Sequence, residues 1–246
     1  MFSNQKILVT NDDGINSLGL KLLVEKLTYY TKEILVVAPN KQMSATSHKL
    51  TLHEGINLHK EPDIVQGIKT YSITGTPVDC VNIAVCILNF LPNMIFSGVN
   101  DGYNIGTDIL YSGTIAAASE AVKYQALGIA FSCDAHTLKG MQYFDEVIKY
   151  ITDKKLFLDA KVLNVNLPEL SMGIKITHQG ENPLKNKYTK KLDGLYYINS
   201  TSIEDISTFD ENSDVYNVKM GYISITPLTN DKTDIEIYKK WQERNI

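Results

Sequence analysis

Asn11-Asp12-Asp13-Gly14 sets two adjacent carboxylates directly behind the apolar run Lys6-Ile7-Leu8-Val9-Thr10. The run reads as a buried strand, and the residues behind it as a tight turn into a helix. In open α/β sheets the crevice beyond the carboxyl ends of parallel strands is where ligands sit. Two neighbouring carboxylates placed there repel each other, and a divalent cation relieves the repulsion. Two further loops are rich in small polar residues. Ser44 and Ser47 follow the strand-like run Ile34-Leu35-Val36-Val37-Ala38, and Asn100, Asp101, Asn104, Thr107 and Asp108 follow Met94-Ile95-Phe96-Ser97. If the three strands are neighbours, the three loops meet at one sheet edge. Carboxylate, amide and hydroxyl oxygens without His or Cys suit Mg²⁺, Mn²⁺ or Ca²⁺ rather than Zn²⁺.

The segment Tyr111-Ser112-Gly113-Thr114 leads into the Ala-rich run Ile115 to Tyr124, a predicted helix. The free N–H groups of a helix start, with two hydroxyls at hand, make an anion site. Of the 24 basic residues only Arg244 is an arginine. Bidentate guanidinium clamps are the common protein solution for phosphate. A phosphate bound here must therefore be held by a metal, backbone N–H groups, hydroxyls or Lys. Each feature has a plainer reading alone: Asp-Asp-Gly as a solvated turn, Ser112 as an N-cap. Only their joint placement favours chemistry.

The elements that position these loops follow from periodicity. Strand-like and helix-like runs alternate through the first two-thirds, the pattern of a Rossmann-like, mostly parallel sheet flanked by helices. Leu18, Leu22, Leu23 and Leu27 recur at helical spacing behind Ser17, a candidate N-cap. Leu50 to Lys60 alternates like a hairpin turning at Glu54-Gly55. Gly75-Thr76-Pro77-Val78-Asp79 opens a helix by rule, with Thr76 as N-cap and Pro77 at its first position. From Gly173 the pattern changes to alternating strands with Asn/Asp/Gly turns, such as Leu195-Tyr196-Tyr197-Ile198. The expected division is an α/β core over residues 1–172 and a C-terminal antiparallel β extension over 173–246.

Composition excludes several classes. With 43% hydrophobic and 21% charged residues, the 246-residue chain is an ordinary globular protein. No apolar run approaches the ~20 residues that span a bilayer, so no membrane partner is expected. A net charge of −4 argues against a nucleic-acid duplex as partner. Cys80, Cys86 and Cys133 lack metal or disulfide spacing. Cys80 and Cys86 read as small buried residues of an apolar helix, and the five histidines as structural or surface residues. The chain opens straight into its first strand, and the cytoplasm is the expected location.

The strings Ile7-Leu8-Val9-Thr10-Asn11-Asp12-Asp13-Gly14, Gly75-Thr76-Pro77-Val78-Asp79-Cys80 and Ser97-Gly98-Val99-Asn100 resemble the SurE (survival protein E) family of metal-dependent nucleotidases. So do Tyr111-Ser112-Gly113-Thr114 and Gly221-Tyr222-Ile223-Ser224-Ile225-Thr226-Pro227-Leu228. Five strings in the family's order span almost the whole chain. The resemblance implies a phosphomonoesterase acting on nucleoside 5′- and 3′-monophosphates, with short polyphosphate as a further substrate class. It also implies one divalent cation, Mg²⁺ or Mn²⁺, held at positions matching Asp12, Asp13, Ser44 and Asn100, and a homodimer or homotetramer with an exchanged C-terminal portion. The chain departs from the family's Ser-Gly-x-Ser loop, reading Ser44-Ala45-Thr46-Ser47.

On this reading Ser112, Gly113 and Thr114 hold phosphate oxygens, and Asn11 and Asn104 donate further hydrogen bonds. Asp12 orients the attacking water or attacks phosphorus itself. Two other phosphate-handling classes fit less well. A phospho-accepting Mg²⁺-binding signalling module needs an aspartate where Asn100 stands, and an aspartyl-phosphate phosphatase of the haloacid dehalogenase type needs Asp-x-Asp.

Overall fold

The computed structural model describes residues 5–181, 183–203 and 205–244. The first half runs β1 (Ile7–Thr10), α1 (Leu18–Leu27), β2 (Ile34–Pro39), β3 (Leu58–Glu61), β4 (Lys69–Ile73), α2 (Pro77–Cys86) and β5 (Met94–Asp101). It continues through α3 (Gly113–Ser119), β6 (Leu127–Cys133), α4 (Phe144–Asp153) and β7 (Val162–Leu167). The last part holds β8 (Ile174–Ile176), β9 (Leu184–Lys190), β10 (Tyr196–Ser202), α5 (Asp214–Lys219), β11 (Ile223–Leu228) and α6 (Ile235–Glu243).

Nine of these strands form one sheet in the order β3-β4-β2-β1-β5-β6-β7-β11-β8. The six strands from β4 to β7 in that order are parallel, while β3 and β11 pair antiparallel with β4 and β7. Helices cover both faces, so β1 and β2 are buried at every position, as parallel strands usually are. Ile7, Val9, Phe96, Phe131 and Phe144 fill one side with α1 and α4, and Leu8, Val37, Ile95, Cys80 and Ala117 fill the other with α2 and α3. The alternation of Ile7, Leu8 and Val9 between the two cores is the period of two of a strand.

The local signals act as their chemistry dictates. The Ser17 side chain caps α1, whose buried stripe is Leu20, Leu23, Val24 and Leu27, while Leu18 stays exposed. Thr76 and Asp79 form a reciprocal capping box on α2. Two expectations fail. Only Leu58–Glu61 of the alternating 50–60 stretch is a strand. Upstream, the Thr51 N–H and hydroxyl donate to the Asp79 carboxylate instead of a strand ladder. Cys86 is exposed where α2 ends, although Cys80 is buried. After residue 173 the antiparallel pair β9–β10 forms a separate two-stranded sheet, whereas β8 and β11 widen the main one.

Candidate active site at the carboxyl edge of the sheet

β1 lies between β2 and β5, with Thr10 beside Ser97 in the register, so the three polar loops do meet at one edge. Asn11 builds the first turn. Its Nδ2 donates to the Gly14 carbonyl (3.1 Å) and the Ser17 hydroxyl (2.7 Å), and its Oδ1 accepts from the Gly14 N–H (3.2 Å). Both amide hydrogens of Asn11 are thus engaged inside the turn.

The turn drives Asp12 inward and leaves Asp13 half-buried. Asp12 is 5% exposed, and it accepts from the Thr114 hydroxyl at 2.5 Å and the Thr114 N–H at 3.3 Å. Burial pushes its pKa up to about 6; the Thr114 hydrogen bond opposes that rise and the Asp13 charge adds to it. Asp13 accepts from the Asp101 N–H and the Gln42 amide, both at 3.3 Å. Its carboxyl is likewise held above the usual range, chiefly by burial. Both the hydroxyl and the N–H of Thr114 are thus directed at the Asp12 carboxylate.

The serine loop between β2 and β3 is tied down along its length. The Met43 N–H donates to the Asp12 carbonyl (2.7 Å), and the Ser47 hydroxyl to the Leu110 carbonyl (2.7 Å). His48 Nε2 meets Glu120 Oε1 at 2.8 Å, and the Thr76 hydroxyl donates to the Lys49 carbonyl at 2.7 Å. Between these ties Ser44 is exposed, and its hydroxyl makes no hydrogen bond among the described residues. Ala45 adopts φ +57°, the left-handed conformation that favours glycine. The loop thus keeps a glycine-like path without the glycine, at a cost of order 1 kcal/mol.

The third loop leaves β5 through a break in the β5–β6 register between Ser97 and Asn100. Gly98 sits there at φ +128°, and a Cβ on it would lie 2.3 Å from the Phe131 carbonyl oxygen. Asn100 donates Nδ2 to the Gly102 carbonyl (2.7 Å), and its Oδ1 has no hydrogen-bond partner among the described residues. Asn104 is buried, donating Nδ2 to the Ser132 hydroxyl (2.9 Å) while its carbonyl accepts from Asn164 and Asn166. Ser112 caps α3 by accepting from the Ile115 N–H (3.1 Å), which leaves its hydroxyl proton to give. The Gly113 N–H has no acceptor among the described residues.

Three anchoring carboxylates escape sequence reading. Asp79 looks like a helix cap and also binds Thr51; Glu120 grips His48; and Asp214 sits fully buried at the start of α5. Asp214 accepts from the N–H groups of Gly106 (3.0 Å), Gly180 (2.8 Å) and Val215 (2.8 Å). It thereby pins the third loop to the C-terminal region. Ser213-Asp214 carries no spacing signal beyond a helix start, since its partners come from distant segments. Asp214→Ala would orphan three N–H groups, and we expect a loss of about 3 kcal/mol or more in denaturant unfolding. A change below about 1 kcal/mol would show that water replaces the carboxylate.

The donor set fits a small hard cation. Among the described residues no three His, Cys, Asp or Glu side chains converge, so two carboxylates must be completed by neutral oxygens, as Mg²⁺ sites commonly are. The partnerless Ser44 hydroxyl and Asn100 Oδ1 are such oxygens, on loops that bracket the raised carboxylate pair.

Residues 7–186 match the family model described as survival protein SurE. The chain belongs to the SurE family. It is 39% identical over 250 residues to a 5′-nucleotidase SurE of Thermoanaerobacter sp. (strain X514), covering 96% of this chain and 98% of the relative. A 5′-nucleotidase SurE of Alkaliphilus metalliredigens (strain QYMF) is 34% identical over 254 residues, covering 98% and 99%. The crystal structure of the SurE protein from Aquifex aeolicus superposes with a TM-score of 0.80 at 30% identity, covering 98% of this chain and 99% of that one. SurE membership supersedes the signalling-module and haloacid-dehalogenase readings. Among the described residues no helix is long and apolar enough to cross a membrane.

Proposed function

We propose that this SurE-family chain is a metal-dependent phosphomonoesterase releasing phosphate from nucleoside 5′- and 3′-monophosphates, with short polyphosphate in the same class. The observation carrying this is the raised Asp12–Asp13 pair at the sheet edge, flanked by the partnerless oxygens of Ser44 and Asn100. Asp12, Asp13, Ser44 and Asn100 would hold one Mg²⁺ or Mn²⁺. That cation supplies Lewis-acid withdrawal of charge from the phosphate as the P–O bond breaks. The Ser112 hydroxyl and Gly113 N–H hold phosphate oxygens, and Asp12, fixed by Thr114, orients the attacking water. Asn11, Asn104 and Thr114 serve by fixing the loops.

The test is phosphate release across a panel of nucleoside monophosphates, with each divalent metal in turn. We expect Mg²⁺ or Mn²⁺ to support turnover and EDTA to stop it reversibly. No release from any monophosphate would overturn the function, and rescue by Zn²⁺ alone would overturn the hard-ligand set. A trapped phosphoaspartate at Asp12 would replace water orientation by direct attack.

The assembly follows from surfaces the chain leaves uncovered. Tyr188, Leu195, Tyr196 and Ile198 of the β9–β10 hairpin are exposed, as are Ile235, Tyr238 and Trp241 at every third position of α6. Unpaired strand edges invite pairing with another chain, and exchange of identical elements is a low-cost route to dimers. The proposed state is a homodimer at least, with the extension packed on a neighbouring copy. Light scattering that returned the monomer mass of 27.6 kDa from fully active protein would refute it.

A further inference from the structure

A cavity lies along the serine loop and neighbours the carboxylate pair through Met43 and Thr46. It has a volume of about 490 Å³, and Lys41, Met43, Thr46, Lys49, His53 and Glu54 are among its lining residues. Two of its walls are shared with the site. Met43 donates its N–H to the Asp12 carbonyl, and Thr46 Oγ1 lies 3.0 Å from where a Cβ on Gly113 would stand.

The charge of this cavity is its second feature. The segments 11–17 and 98–114, which supply Asp12, Asp13, Asn100 and Ser112, contain no Lys or Arg. The serine loop brings both Lys41 and Lys49 to one concavity. Among the described residues neither has a carboxylate within 4.0 Å, whereas Lys26, Lys139 and Lys149 are each paired. Glu54 is the one carboxylate among the lining residues. Two lysines that line one cavity on the serine loop, neither with a carboxylate within 4.0 Å among the described residues, favour a further anionic group on a molecule bound at the carboxylate pair.

We propose that this cavity is a subsite for a second phosphate on the substrate, so that nucleoside 3′,5′-bisphosphates are bound in preference to monophosphates. The proposal rests on the phosphomonoesterase reading, which places the reacting phosphate at Asp12 and Asp13. The second phosphate then lies across the serine loop, held by Lys41 and Lys49, and takes no part in bond breaking. It adds charge-assisted contacts in the ground state and transition state alike, so its effect belongs in KM.

The test uses the full chain and the double variant Lys41→Gln/Lys49→Gln, with adenosine 3′,5′-bisphosphate and adenosine 5′-monophosphate as probes. With Mg²⁺ present, the variant should raise KM for the bisphosphate by about tenfold, a typical worth of one or two charged contacts. KM and kcat for the monophosphate should move less than about twofold. Calorimetric titration of the EDTA-treated proteins, where nothing turns over, should show wild type favouring the bisphosphate and the variant losing that preference. Equal KM changes on both substrates, no change on the bisphosphate, or no calorimetric preference in wild type would each overturn the subsite. Failure of the catalytic reading is distinguishable, because monophosphate turnover would then be absent while the calorimetric comparison still decides the cavity.

Discussion

Asp12→Asn is expected to remove about a thousandfold or more of turnover and, at neutral pH without metal, to make the protein harder to unfold. Both effects come from one environment. Asp12 is buried beside Asp13, and its carboxyl titrates near pH 6 against an ordinary 3.8. A group whose folded pKa lies above its unfolded value contributes stability below the unfolded value and loses it as pH rises through the folded one. The metal-free protein should therefore give up about 2.5 kcal/mol between pH 4 and pH 7 from this group. Asparagine keeps an oxygen for the Thr114 hydroxyl and carries no charge, so it escapes that loss. For a chain of this size about 1 kcal/mol moves Tm by about 2–4 °C. Calorimetry in EDTA should then show the variant several degrees more stable at pH 7.5 and level with wild type at pH 4. Equal melting at pH 7.5 would mean that Asp12 is not held charged and uncompensated. Near-normal turnover at saturating Mg²⁺ or Mn²⁺ would remove Asp12 from the site altogether.

The contrast between Asp12 and Asp214 shows what a sequence can and cannot disclose. Asp12 was legible because strand, turn and helix are adjacent in the chain, and the position after a parallel strand carries the functional meaning. The order of β2, β1 and β5 was not legible, yet short connections and neighbouring strands made convergence of their loops the natural expectation. Asp214 makes its hydrogen bonds to Gly106 and Gly180, and no local pattern encodes partners that distant. The same reasoning separates the individual site residues. Residue type located Asn11 and Thr114 correctly at the edge, but it could not say which way each would donate. Short, buried contacts decide that: Asn11 closes its own turn and Thr114 fixes Asp12. The 50–60 stretch misleads for a related reason, since its alternation is real but Asp79 draws Thr51 out of any ladder.

Gly113→Ala should damage activity through a single added methyl group. Gly113 begins α3 with an ordinary helical backbone, so its need for glycine is one of space and not of φ. An added Cβ would stand 2.9 Å from Asp12 Cβ, 3.0 Å from Asp12 Oδ2 and 3.0 Å from Thr46 Oγ1. None of these can yield cheaply. Asp12 is held by Thr114 and by its own buried turn, and the Thr46 hydroxyl donates to the Met43 carbonyl at 2.9 Å. The strain must therefore part Asp12 from the serine loop, displacing the carboxylate proposed to orient water and hold the metal. A misplacement approaching 1 Å costs about a hundredfold in rate, and overpacking of this kind costs about 1–3 kcal/mol of stability. The readouts separate a local from a global fault. We expect kcat to fall about a hundredfold and the concentration of Mg²⁺ needed for half-maximal rate to rise, while far-ultraviolet circular dichroism stays that of wild type. Alanine at this position with unchanged kinetics would show that Asp12 and Thr46 have slack to part without consequence, and the close packing of Gly113 against Asp12 would then carry no catalytic weight.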